Sequence, residues 1–197
     1  MKPQTIARLS VTLEDIEPKV TRRLDVPADI RLDRLHLVLQ AAMGWTNSHL
    51  YEIRADEVGW GIPDPDWQGG PLNAKKATLW EVIEDTGAKT LRYIYDFGDN
   101  WEHVVKIDRF LDPDPAETYP VLIAATGRCP PEDVGGFSGY EEFLAAIADP
   151  SHERHEEIKE WWPEDFDPAV APVDELKSAV AALAKQWNRK PRVKKSA

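Results

Sequence analysis

The feature that most constrains this chain is a strict alternation near its start. Ala7, Leu9, Val11 and Leu13 are separated by Arg8, Ser10, Thr12 and Glu14. Successive side chains of a strand point to opposite faces, so residues 5–14 read as a strand with one face buried and one wet. Asp15 to Pro18 supplies a turn. Val20, Leu24 and Val26 then share a face, with Arg22 intruding on it, which completes a first hairpin. Leu32, Leu35, Leu39 and Ala42 follow at helical spacing, and Gly44 stops that helix. His49, Tyr51 and Ile53 alternate with Leu50, Glu52 and Arg54 as a third strand. The chain therefore opens strand-strand-helix-strand.

Residues 56–77 carry Gly59, Gly61, Pro63, Pro65, Gly69, Gly70 and Pro71, and read as one long loop holding Trp60 and Trp67. Long loops in compact domains tend to be functional, which suits a lid or rim. A short helix is expected near Thr78 to Glu84, then strands over about 89–97 and 101–111, and a short strand near Val121 to Ala124. Ser138 and Glu141 have the spacing of a capping box for a helix that buries Tyr140, Phe143, Leu144 and Ile147 and ends at Asp149-Pro150. Further helices are expected from His152 to Trp161 and from Pro172 onward, the last burying Val173, Leu176, Val180, Leu183 and Trp187. There are no internal repeats and no linker. The expectation is one α+β domain over 1–187, a mostly antiparallel sheet with helices packed on it and a helical C-terminal third. A basic flexible tail over 188–197 would follow.

With 197 residues, 42% of them hydrophobic and 30% charged, the chain suits a globular fold rather than an unfolded acidic one. No run approaches the ~20 apolar residues of a membrane span. No basic segment followed by an apolar run resembles a secretory signal, and Cys129 is the only cysteine, so a reducing, cytoplasmic setting is expected. The net charge is −11 but unevenly placed: residues 112–171 hold fifteen acidic and three basic side chains. An acidic body repels phosphate backbones, so nucleic acid is an unlikely partner except through the tail cations Lys185, Arg189, Lys190, Arg192, Lys194 and Lys195.

Two stretches stand apart from ordinary scaffold. In the first, a three-residue loop, Gly98 to Asn100, would set Phe97 opposite Trp101, Tyr95 opposite His103 and Tyr93 opposite Val105, with the aromatics on one face. Gly98 or Asn100 would then be left-handed. Asp96 would oppose Glu102, with Asp99 at the tip, and like charges directly opposite are unfavourable. Solvent, an arginine such as Arg22 or Arg92, or a divalent metal would offset the repulsion. His103 and His49 both fall on apolar strand faces, where a histidine is either a hydrogen-bonded core residue or a ligand. If the two strands line one sheet face, the imidazoles converge. The second stretch runs from Gly127 through Arg128-Cys129-Pro130-Pro131-Glu132-Asp133-Val134 to Gly135-Gly136. It is rigid at its prolines and permissive at its glycines. It is either a ligand-facing loop that supplies Glu132 and Asp133, or a packing loop around a buried Cys129.

His152-Glu153-Arg154-His155 lacks the four-residue histidine spacing of a zinc protease helix and reads as a solvated turn. No phosphate-binding glycine loop and no serine-hydrolase elbow occurs.

Val26-Pro27, Leu35-His36, Met43-Gly44-Trp45, Ser48-His49-Leu50, Tyr95-Asp96-Phe97-Gly98-Asp99-Asn100-Trp101, His103 and Cys129 to Gly136 together resemble the signature of the Ri-plasmid open-reading-frame-three-like family, over roughly residues 3–168. The resemblance implies an α+β fold with an antiparallel sheet. It also implies a family of unknown role, often found near mobile elements, in which some members carry a recombinase label. The acidic body and the lack of a recombinase nucleophile segment give that label no support here.

The cluster of aromatic, imidazole and acidic groups without an assembled catalytic motif points to a non-catalytic binding module for a small ligand, peptide or partner protein. Its expected site comprises His49, Tyr95, Asp96, Asp99, Trp101, His103, Cys129, Glu132 and Asp133. The rivals are a metal-dependent hydrolase or nuclease, with His49, His103, Asp96 and Glu132 as metal ligands, and a nucleic-acid accessory protein using the tail.

Overall fold

The computed structural model describes residues 5–64, 66 and 69–188. The expected alternation is realised in β1 (Ile6–Leu13), whose Ala7, Leu9, Val11 and Leu13 are fully buried. Arg8 and Ser10 lie on its other face, bonded to Asp25 and Asp108. β1 pairs antiparallel with β2 (Thr21–Pro27) on one side and with β7 (Trp101–Leu111) on the other. The sheet has eight strands in the order β5-β4-β3-β6-β7-β1-β2-β8, with β3 Tyr51–Ala55, β4 Val58–Gly61, β5 Leu72–Asn73, β6 Thr90–Tyr95 and β8 Val121–Thr126. Among the described residues only the β4–β5 pair is parallel. The fold is α+β, as expected.

Helix α1 (Leu32–Met43) buries Leu32, Leu35, Val38, Leu39 and Ala42, and ends on Gly44 at φ +91°, where the glycine N–H bonds the Gln40 carbonyl. Only a residue without a Cβ reaches that conformation cheaply. Helix α5 (Val173–Trp187) buries Leu176, Val180 and Ala184 and packs on α1 and β8; Val173, Leu183 and Trp187 are only half-buried. Between them come α2 (Leu79–Thr86), α3 (Gly136–Ala148) and α4 (His155–Trp161).

Several local expectations need correction. The long loop 56–77 contains β4, β5 and a single 3-10 turn at Ala74–Lys76. Trp60 lies on β4 opposite Ile53 and is buried, so it is core rather than lid; Trp67 lies outside the described residues. The Ser138–Glu141 capping box does not form. α3 begins at Gly136, with Gly135 as its cap at φ +94° and no side-chain cap bond, which leaves Ser138 and Glu141 exposed in the helix. A reciprocal box of this kind caps α2 instead, between Thr78 and Glu81. α4 starts at His155 rather than His152. Asn188 caps α5, and the expected tail from Arg189 onward lies outside the described residues.

Arg22 does intrude on the core face of β2, where it is 1% exposed. Its guanidinium donates to the carbonyls of Ala42 (2.6 Å), Thr21 (2.8 Å), Thr126 (2.7 Å) and Gly127 (3.1 Å). It thereby ties the end of α1 to the end of β8. Burial lowers its pKa.

Candidate functional site

The β6–β7 hairpin differs from its expected register by two residues. Tyr95 pairs with Trp101 and Tyr93 with His103, so the loop is five residues long, Asp96 to Asn100. Because the shift is even, every aromatic keeps its expected face except Phe97, which leaves the strand and is 52% exposed. Asp96 does not oppose Glu102; Ile94 does, and Glu102 pairs with Arg92 at 3.1 Å. Asp96 and Asn100 adopt φ of +56° and +55°, while Gly98 stays out of the left-handed region. Asp and Asn tolerate that conformation because their side chains bond the nearby backbone. Asp96 Oδ1 accepts the Gly98 N–H at 2.9 Å, and the Asp96 carbonyl accepts the Asn100 N–H at 2.6 Å. The Asp96 N–H donates to the Leu50 carbonyl, which fixes the carboxylate beside the start of β3. Its second oxygen is left facing His49.

The Cys129–Gly136 loop docks on this hairpin. The Gly135 N–H donates to Asp99 Oδ2 at 3.2 Å, and a Cβ on Gly136 would stand 2.7 Å from the Asp99 carbonyl oxygen. Glu132 accepts from the Tyr95 hydroxyl at 2.5 Å, from the Thr46 N–H at 2.9 Å and from the Thr46 hydroxyl. The Tyr95 oxygen in turn accepts from the N–H groups of Ser48 and His49. Burial, and then this bond to a carboxylate, push the Tyr95 pKa up. The Trp45 indole N–H donates to the Pro130 carbonyl at 2.9 Å. Thr46, Ser48 and Trp45 hold the loop in place. Nothing in their sequence spacing announces these roles.

Three of the expected residues come together. His49 Nε2 lies 2.8 Å from Asp133 Oδ1 and 3.6 Å from Asp96 Oδ2, and the three groups have ligand atoms within 4.8 Å of one another. Nε2 is shut off from water. Although the Asp133 oxygen is close, it is not aligned to accept an N–H bond, so the nitrogen has no hydrogen-bond partner. Asp133, at φ +60°, is exposed, whereas Asp96 is buried. Three exposed apolar side chains belong to the same segments: Leu50 follows His49, Phe97 follows Asp96, and Phe137 follows the docked Gly136.

Other expected residues do not reach this cluster. His103 is fully buried, with Nδ1 3.1 Å from the carbonyls of both Tyr93 and Trp101. Burial lowers its pKa to about 4. Trp45 stands edge-on to it at 5.4 Å and stacks on Tyr95 at 5.0 Å, and Tyr95 meets His49 at 5.9 Å. An aromatic layer therefore separates the two imidazoles. Cys129 is buried, which pushes its thiol up to about 12 and keeps it protonated. Trp101 is buried, and Asp99 and Glu132 are engaged in the loop–hairpin lock. In the His152–His155 turn, His155 Nδ1 bonds the Ala146 carbonyl at 2.7 Å.

A second polar group sits deeper, unflagged by the sequence beyond the Leu35-His36 dipeptide. His36 Nδ1 meets the Tyr93 hydroxyl at 2.9 Å, which also accepts from the Gln40 amide at 2.8 Å. The Asn47 N–H donates to Gln40 Oε1 at 3.0 Å, and Asn47 Oδ1 faces His36 Nε2 at 2.5 Å. The ring of bonds closes if His36 is neutral with its proton on Nε2. Burial lowers the His36 pKa to about 4.

Fold and site together define an α+β protein with a half-open imidazole–carboxylate cluster at one end of an eight-stranded sheet. The sequence profile of the plasmid pRiA4b ORF-3-like protein family matches residues 5–175, and the chain belongs to that family. It is 54% identical over 191 residues to the uncharacterized protein y4hQ of Sinorhizobium fredii, covering 96% of this chain and 98% of that one. It is also similar to the crystal structure of MM3350 from Methanosarcina mazei Go1, a protein of unknown function. The TM-score there is 0.78 and the identity 31%, over 88% of this chain and 97% of that one. Among the described residues, no helix is long and apolar enough to cross a membrane.

Proposed function

We propose that this protein is a non-catalytic binding module whose site is the His49–Asp96–Asp133 cluster, and that the cluster holds a divalent cation. The observation that carries the reading is the convergence of His49 Nε2 with the Asp96 and Asp133 carboxylates, whose ligand atoms lie within 4.8 Å of one another. His103 Nε2, also buried without a hydrogen-bond partner, belongs to no such cluster among the described residues. One imidazole and two carboxylates suit a borderline or hard ion such as Zn²⁺ or Mn²⁺, and three protein ligands leave coordination positions for an incoming group. Leu50, Phe97 and Phe137 supply exposed apolar surface in the adjoining positions, as expected of a site that receives a ligand or partner.

A hydrolase that relied on a protein base or nucleophile beside a metal-bound water would need one with free bonding capacity. Cys129 is a buried neutral thiol, His103 is sealed in the core, and Glu132 already accepts three hydrogen bonds. These observations leave none of the three free for that role.

The test is elemental analysis of the purified protein together with thermal shifts in Zn²⁺, Mn²⁺ and Ni²⁺. Near-stoichiometric metal, or a cation-dependent rise in Tm that disappears in His49→Ala, supports the reading. If no ion is bound and no shift occurs, the cluster is a histidine salt-bridged to two acids.

A further inference from the structure

The two edges of the sheet are built differently. β5 is two residues long and follows Pro71, so it offers almost no free backbone. β8 is six residues long, Val121-Leu122-Ile123-Ala124-Ala125-Thr126, with no charge and no proline. Exposed edges are normally blunted by lysine, proline, short length or bulges, because unpaired N–H and C=O groups recruit another strand. β8 also follows a proline, Pro120, but runs six residues beyond it. The only such device within the strand is a register shift against β2 at Ile123, whose side chain is 39% exposed. Beyond β2, the β8 backbone bonds only Arg22, at the Thr126 carbonyl, among the described residues. A groove of about 550 Å³ runs beside this edge, between Val121, Leu122 and Ile123 on one wall and Ala181 and Ala184 of α5 on the other.

We propose that the β8 edge pairs with β8 of a second copy of this chain, antiparallel across a two-fold axis, each copy's strand lying beside the other's groove. Antiparallel backbone is its own complement, as a two-fold interface requires. The charges at the groove's ends agree. α5 runs antiparallel to β8: the Asn188 amide bonds the Tyr119 carbonyl just before β8, and Pro172 shares a cavity with Cys129 just after it. Glu117 and Lys185 therefore lie at the start of β8 and Lys177 toward its end, all on the groove. The two-fold brings Glu117 of each copy toward Lys177 of the other. The strand itself carries no charge, while Asp112, Asp114 and Glu117 gather where it begins, so a two-fold across its middle keeps the acids of the two copies apart.

The experiment is sedimentation velocity of the full chain at about 5 and about 100 µM, a span that brackets a micromolar dissociation constant. A species of twice 22.3 kDa is expected. Ile123→Lys and Ala124→Lys, at exposed positions, should give monomer with an unchanged circular dichroism spectrum. Glu117→Lys and Lys177→Glu should each weaken the dimer about tenfold, and the double swap should restore it. A monomer at the higher concentration overturns the proposal. So does a dimer indifferent to both edge lysines, which would place the contact elsewhere.

Discussion

Two histidine-centred regions of this protein use nearly the same chemistry and end differently. Around His36, the hydroxyl of Tyr93 and the amides of Gln40 and Asn47 close a ring in which each group satisfies the next. Around His49, two carboxylates approach an unbonded nitrogen at the protein's rim. The first arrangement has nothing left to offer a ligand and serves the core. The second leaves two carboxylates beside one imidazole at the surface; positive φ does not separate the regions, since Asn47 of the closed ring adopts it as Asp96 and Asp133 do. Neither burial nor an unbonded nitrogen sets His49 apart, since His103 Nε2 is also buried without a partner; the two carboxylates beside His49 do.

The comparison can be broken at its buried end first. Arg22→Ala should cost the most, about 3–5 kcal/mol, because four carbonyls lose their donor inside the core; urea denaturation reads this directly. Tyr93→Phe removes one link of the closed ring and should cost about 2 kcal/mol in the same assay. Gly136→Ala forces a Cβ against the Asp99 carbonyl at φ +68° and should cost about 1–3 kcal/mol. It should also weaken cation binding, since it pries the Asp133 segment from the hairpin.

The pH response sharpens the same contrast. His36 and His103 have folded pKa values near 4, below the ordinary 6.5, so the fold binds fewer protons than the unfolded chain between those limits. Their contribution is steady above about pH 6.5, falls away as pH drops toward 4, and levels off below it. Stability measured against pH should lose much of that slope in His36→Gln. The smallest stability effect belongs to the open cluster: Asp133→Ala, at an exposed side chain, should change stability by less than about 0.5 kcal/mol while abolishing the cation-dependent thermal shift. A large loss of stability there would make the cluster structural.

The sequence by itself determined what rests on period and on special backbone. Alternation placed β1 and β3, the spacing from Leu32 to Ala42 with Gly44 placed α1, and even the mis-set hairpin kept its aromatic face, because a two-residue slip preserves the parity of a strand. The Cys129–Gly136 loop stood out by its prolines and paired glycines. Other features needed coordinates. β4 and β5 are too short and glycine-rich for their pattern to outweigh a loop reading, and the start of α3 was set by Gly135 and by the packing of Gly139 on Val134 rather than by a capping side chain. The sequence pattern puts His49 and His103 alike on apolar strand faces, but His49 lies in a bend two residues before β3 begins at Tyr51. Only the tertiary structure put Trp45 and Tyr95 between them, leaving one imidazole at the rim with two acids and the other in the core, because which groups share a desolvated space depends on contacts between segments that no local pattern encodes.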